Sequence, residues 1–382
     1  MDYYKILEIL GIDDNFLEYM KKLKYKFYEM KKEFDKYDRE TVDDFIKNEG
    51  YKFFDDIDSY IKEKEIFEKY NKFYENKYKH RILYKRFREG IIFTDEELKY
   101  IKDKNILKMF NDNEIFLDNT NIDDLRKVNK LFLKNIEIFN CSSNENLKNL
   151  IGSPENVEEY YCSSCGLTSL EGAPKKVKIF DCNNNENLTN LIGGPKKVEE
   201  YYCSYCGLTS LEGAPQRAEV FDCSNNKNLE NLIGGPYEVK KYYCDDCNLN
   251  SLEGSPKKVE IFDCNRNKNL KDLKGSPENE NVEIFWCSEC GLTSLEGAPR
   301  KVKNFDCSNN NKVYEDGSKL RNLIGGPDEV NEEYDCSDCN LESLEGLAKR
   351  IGVLKCGGNK FDKEYVKKFI KENNIKVNKI KM

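Results

Sequence analysis

Val157-Glu158-Glu159-Tyr160-Tyr161-Cys162-Ser163-Ser164-Cys165-Gly166-Leu167-Thr168-Ser169-Leu170-Glu171-Gly172-Ala173-Pro174-Lys175-Lys176 is one of four stretches of twenty residues that read almost alike. The others are Val198–Arg217, Val239–Lys258 and Val282–Lys301, and sister units starting at Ile136, Val177, Ala218, Val259 and Val302 alternate with them. Two further units begin near Asn331 and Ile351, which makes eleven. Self-similarity at a fixed short period is the signature of a solenoid, in which no unit can bury its apolar face alone.

Each unit repeats one apolar pattern. In the quoted stretch Val157, Tyr160 and Cys162 take the first three slots, Cys165 a small polar slot, and Leu167 and Leu170 the last two. In the next unit the same slots hold Val177, Phe180, Cys182, Asn185, Leu188 and Leu191. The pattern L-x-x-L-x-L-x-x-N/C-x-L resembles the leucine-rich-repeat family, in the short form found in bacterial effectors and in some phage and large-virus proteins. The resemblance covers residues 136–361. It implies a parallel β-sheet on a concave face, with an extended or short-turn convex side. All nine prolines fall in one slot, as in Gly172-Ala173-Pro174, where a tight return needs no N–H partner.

Sixteen cysteines invite a zinc or disulfide reading. The repeat register argues against both. Eleven cysteines fill the third apolar slot, once per unit. The other five, Cys165, Cys206, Cys247, Cys290 and Cys339, fill the slot where the sisters carry Asn144, Asn185, Asn226, Asn267 and Asn310. A small, buried, weakly polar side chain suits both places. No metal site and no cofactor is expected.

Outside the repeats the reading is helical. Phe16, Met20, Leu23, Phe27, Met30 and Phe34 follow a heptad seam, so residues 1–110 are expected to form an all-α domain. Thr94-Asp95-Glu96-Glu97 is a capping box opening a helix through about Phe110. Asp2-Tyr3-Tyr4-Lys5-Ile6-Leu7 resembles the opening of J-domain co-chaperones, but their His-Pro-Asp tripeptide is absent, since the first proline is Pro154. Residues 111–135 are expected to cover one end of the solenoid, with Leu125, Val128, Leu131 and Leu133 as the covering side chains. Residues 362–382 are expected to form a C-terminal helical cap, Ile375-Lys376-Val377 adding a last strand.

The formal net charge of −8 arises entirely after residue 110, which disfavours a grip on nucleic acid by the repeats. Lys77–Arg88 is basic with interleaved aromatics. A solvated helix face or a contact with the acidic repeats is the preferred reading there, nucleic acid or an anionic membrane the weaker one. No stretch reads as a membrane span or signal peptide, so a cytoplasmic protein is expected. The repeats supply no catalytic triad, phosphate loop or metal cluster, and His80 is the single histidine, so no enzyme is expected.

The residue between the second and third apolar slots should point out of the sheet. Read in order, that position gives Asn140, Tyr161, Asp181, Tyr202, Asp222, Tyr243, Asp263, Trp286, Asp306, Asp335 and Lys355. Two residues earlier, also outward, stand Ile138, Glu159, Ile179, Glu200, Val220, Lys241, Ile261 and Ile284. Aromatic and aliphatic side chains interleaved with carboxylates suit a protein partner bearing basic and aliphatic groups. The expected function is therefore a non-catalytic interaction scaffold. The alternative is a structural or assembly component anchored through the N-terminal domain, of a virus particle if the Lys, Asn, Ile and Tyr richness reflects an A+T-rich genome.

Overall fold

A computed structural model describes residues 91–104, 106–111, 113–132, 136–277 and 282–382, together with Ile9 and Arg86. The heptad seam, the expected bundle before residue 91, the basic stretch 77–88 apart from Arg86, and Leu133 lie outside the described residues. Those described fall into two compact units, divided between residues 114 and 115, with residues 127–132 belonging to the first. Among them no helix is long and apolar enough to cross a membrane.

In the first unit the capping box forms as expected. Thr94 accepts from the Glu97 N–H and Glu97 accepts from the Thr94 N–H, opening helix α1, Asp95–Asp103. The helix stops short of the expected Phe110. Asp103-Lys104-Asn105 sets two weak helix formers close together, and a tighter 3₁₀ turn follows at Ile106–Met109. Lys130 ties to this helix through Glu97 at 2.6 Å.

The second unit is a parallel β-solenoid of about eleven coils, one strand to each. The strands are β1 (Ile136–Asn140), β2 (Val157–Tyr161), β3 (Ile179–Asp181), β4 (Glu200–Tyr202), β5 (Arg217–Asp222) and β6 (Glu238–Tyr243). They continue as β7 (Ile261–Asp263), β8 (Ile284–Trp286), β9 (Lys301–Asp306), β10 (Glu329–Asp335) and β11 (Arg350–Lys355). Each lies beside its sequence neighbour, so the second apolar slots align from Phe139 through Tyr160, Phe180 and Tyr201 to Leu354.

The inner side chains of these slots build the core. Ten rings, from Phe139 to Tyr334, are all fully buried and follow one another at centroid distances between 5.1 and 5.8 Å. That is little more than the roughly 4.8 Å between strands, so each ring touches the next. The return path needs glycine before its proline. At Gly172, φ is +92° and a Cβ would collide with the Ile151 nitrogen of the preceding coil.

Two places differ from the sequence reading. The tenth unit starts at Val330, which pairs with Val302 and Ile351, not at Asn331. One residue more than usual separates it from Tyr334, and the register shift absorbs the insertion as a bulge. Residues 115–125 are no mere cover, because Ile115-Phe116-Leu117 and Ile122 and Leu125 occupy the slots of another coil. Leu117 and Asn119 donate to the Asn140 and Ser142 carbonyls as the later coils do to theirs. The last strand expected at the C-terminus forms, and runs on beyond Val377. Helix α2 (Lys363–Glu372), N-capped by Asp362, is followed by β12 (Lys376–Lys381), which extends the sheet beside β11.

Candidate functional site on the outward face of the sheet

Alternation along each strand turns every second residue away from the core. The register sets Asn140, Tyr161, Asp181, Tyr202, Asp222, Tyr243, Asp263, Trp286, Asp306, Asp335 and Lys355 side by side in one row. A second row runs beside it, in which Ile179, Val220, Ile261 and Ile284 follow Ile138 and alternate with Glu159, Glu200 and Lys241. Tyr161, Asp181, Tyr202, Asp222, Tyr243, Asp263, Trp286 and Asp306, with Ile179, Val220, Ile261 and Ile284, thus share one face. They are half-buried rather than fully exposed. Phe116, in the coil that the sequence reading overlooked, adds an exposed ring.

The rings are held. Tyr161 donates to Glu159 at 2.9 Å and Tyr202 to Glu200 at 2.7 Å, two residues back on the same strand. Burial, then the neighbouring carboxylate, pushes the Tyr161 phenol up to about 12, and Tyr202 rises for the same reasons. Burial also raises the carboxyls of Asp181 and Asp306, and lifts Asp263 to about 6.

The aspartates have a structural task that spacing alone did not disclose. Asp181, Asp222, Asp263, Asp306 and Asp335 each accept the backbone N–H two residues on, at 2.8–3.0 Å, and Asn140 does the same for Ser142. These are Asx turns that lead the chain out of the strand. In the aromatic coils that N–H finds another partner: Ser142 serves Ser163, Asn183 serves Ser204 and Asn265 serves Ser288, each from the coil before. Half of the alternation is therefore explained by folding. The aromatic half is not.

Behind the sheet, the thiols occupy the slots expected of them. All sixteen cysteines are free and buried. The second member of each Cys-x-x-Cys pair donates to the carbonyl of a cysteine in the preceding coil, as Cys206 does to Cys182 at 3.3 Å. Burial pushes the Cys165 thiol up to about 11 and the Cys247 thiol up to about 12, away from the thiolate that metal ligation and nucleophilic attack require. Among the described residues no cluster of three or more His, Cys, Asp or Glu side chains could hold a metal ion.

At the far end of the face Lys355 pairs with Glu333 at 2.5 Å and Asp335 at 3.3 Å, whereas in the middle coils the Arg266 guanidinium pairs with Asp245 and lies near Asp246 and Asp263. No protein-family model matches the chain, and no curated protein matches it. Fold and site together define a class: a parallel β-solenoid with an aromatic and acidic outward face.

Proposed function

We propose that the solenoid is of the leucine-rich-repeat type and serves as a non-catalytic scaffold, binding a protein partner on the outward face of its sheet. The observation that carries this reading is the in-register row in which Tyr161, Tyr202, Tyr243 and Trp286 alternate with carboxylates. Rings on alternate strands recur roughly every 10 Å, two strand spacings. Folding accounts for the aspartates of this row but gives no reason for the rings between them. Tyr and Trp contribute large contact areas with few rotors, which is why they anchor interfaces. The carboxylates between them favour basic groups on the partner, and the Ile179, Val220, Ile261 and Ile284 row favours aliphatic ones.

The test is a display selection of peptides and small domains on the full chain, followed by binding to the variant Tyr202→Ala/Tyr243→Ala/Trp286→Ala. The expected result is loss of the selected binder with an unchanged circular dichroism spectrum. Undiminished binding by a folded triple variant sinks the reading.

A further inference from the structure

The residue just before the first apolar slot forms a further row, at the starts of the strands. Over much of its length cations and anions alternate. Glu238 stands between Arg217 and Lys258, at 3.2 and 3.5 Å, and Glu329 between Lys301 and Arg350, at 4.0 and 3.4 Å. In coils three to five the alternation fails. Lys176 pairs with Lys197, and Lys197 lies three residues before Glu200, whose register with Val220 sets it beside Arg217. Three cations thus follow one another at strand spacing, roughly 4.8 Å. Lys175 and Lys196, one residue earlier in their coils, widen the row to a patch of five, all exposed. Among the described residues Lys175, Lys176 and Lys197 have no carboxylate partner. Lys196 donates to the Gly213 carbonyl at 2.7 Å, and Arg217 shares Glu238 with Lys258. Like charges opposite one another on neighbouring strands cost stability, and a glutamate in the middle place would remove that cost, as it does farther along the row. Arg350 beside Lys376 repeats the like charge, but at the free edge of the sheet, where a cation guards an open strand. Lys197 lies at no such edge.

We propose that this patch binds a short oligophosphate, inorganic or carried by a nucleotide. The extent of the patch sets the size of the ligand. Glu155 holds the place of Lys175 in the coil before, and Glu238 follows Arg217 in the coil after. The cations therefore span two strand spacings, roughly 10 Å. A long polyanion such as a nucleic acid would run out onto those carboxylates and meet a chain of net charge −8. Each ammonium group carries three donors in no fixed plane, which suits phosphates, with acceptor oxygens on every side and high charge density. Side-chain carboxylates of a peptide are held apart by their backbone and bring fewer charges within the same span. The neighbouring row offers no rival site. Lys178 already pairs with Glu158 at 2.6 Å, with Glu199 also acting on it, and Lys240 pairs with Glu219 at 2.7 Å.

Isothermal titration calorimetry on the full chain at low ionic strength tests the site, with sodium tripolyphosphate and ATP as probes. An oligo-glutamate peptide and oligothymidylate serve as comparisons. At least one phosphate probe should bind, more tightly than either comparison, and its affinity should fall as salt is added. Lys197→Glu restores the alternation between Lys176 and Arg217. It should lower that affinity about ten-fold while the thermal midpoint holds or rises, a combination that damage to the fold does not produce. Lys176→Gln/Lys197→Gln should weaken binding likewise, with no new charge introduced. Tighter binding of ATP than of tripolyphosphate would support the proposal with a nucleotide as the source, and the reverse order would support it with an inorganic one. Absence of binding by both phosphate probes overturns the proposal, as does tighter binding of a comparison, or an affinity unchanged in both variants. None of these measurements involves the partner proposed above.

Discussion

The hydroxyl of Tyr201 occupies the space that a side chain on Gly194 would enter: a Cβ there would stand 2.6 Å from the phenol oxygen. The same relation recurs between Tyr242 and Gly235 and between Tyr334 and Gly326, each at 3.0 Å. Where the core ring is phenylalanine the residue before the return proline is larger, as in Ala173 before Phe180, Ala214 before Phe221 and Ala298 before Phe305. Tyr160 is matched instead by Ser153, whose hydroxyl lies 2.7 Å from its own. Ring and return thus vary together, one hydroxyl against one methyl.

A double-mutant cycle follows from this. Gly194→Ala alone should destabilise by about 1–3 kcal/mol through overpacking. Tyr201→Phe alone should be neutral or stabilising by about 1 kcal/mol, because the Tyr201 hydroxyl is buried without a partner. Together they reproduce the Ala-and-Phe arrangement of the sister coils, and most of the Gly194→Ala loss should return. Urea denaturation would measure the coupling. Strictly additive effects would show that the two sites do not share that space.

Asn226 explains why the repeat runs in pairs. Its amide donates to the Cys203 carbonyl of the preceding coil at 2.9 Å and to the Cys223 carbonyl of its own at 2.7 Å, while its oxygen accepts the Leu208 N–H at 3.2 Å. One asparagine therefore satisfies two coils, and the coil between two asparagines needs only a small thiol. Asn226→Leu should cost about 3–5 kcal/mol, since a buried N–H and two carbonyls lose a partner at once. Cys206→Ala should cost about 1 kcal/mol from this source, because the Cys182 carbonyl that it serves keeps the Asn185 amide at 2.8 Å. Equal losses from the two substitutions would refute the shared-asparagine account.

The repeat and the in-register row were legible because period and alternation are properties of the chain itself. What escaped the sequence reading depended on contacts between coils. Ile115–Leu125 carries the apolar slots of a coil but has Thr120 where asparagine or cysteine belongs and no Gly-x-Pro return, so its local pattern reads as cover. The coil shows itself when Asn144 reaches back to the Leu117 carbonyl and the Ile122 N–H, both at 2.8 Å. The bulge beside Val330 was hidden because one inserted residue shifts a slot without altering the pattern after it. The aspartates of the outward row looked like binding residues because their acceptor role depends on the left-handed turn that follows, which composition does not announce.

That turn offers a simple gain in stability. Coils three, five and nine carry Asn184, Asn225 and Asn309 at its left-handed position, with φ near 60°, whereas coil eight carries Glu289 at φ 53°. Asparagine tolerates this conformation better than glutamate does. Glu289→Asn should therefore stabilise by about 0.5–1 kcal/mol, read as a higher urea midpoint at unchanged slope. A fall in midpoint would mean that Glu289 makes a contribution larger than its backbone strain.

Asp263 should make stability depend on pH in an unusual direction. Burial, opposed by the Asn265 N–H and reinforced by Asp245 and Asp222, lifts its carboxyl from an ordinary 3.8 to about 6. Between about pH 4 and 6 the folded protein holds a proton at this site that the unfolded chain has released. Stability from this group is therefore greatest below the unfolded value and declines as pH rises through 6. Above pH 6 the fold carries a partly desolvated carboxylate. Asp263→Asn keeps the acceptor for the Asn265 N–H, as Asn140 does for Ser142 in the first coil at 2.9 Å, but removes the charge. The variant should be more stable than the parent by about 1–3 kcal/mol at pH 7.5 and nearly equal to it at pH 4. Denaturant midpoints for both proteins at several pH values between 4 and 8 would show the difference opening between about pH 4 and 6 and levelling off above that. Parallel pH profiles would mean that Asp263 titrates as an ordinary surface carboxylate. A parent more stable than the variant at pH 7.5 would mean that Arg266 and Asn265 stabilise the charged form more than burial opposes it.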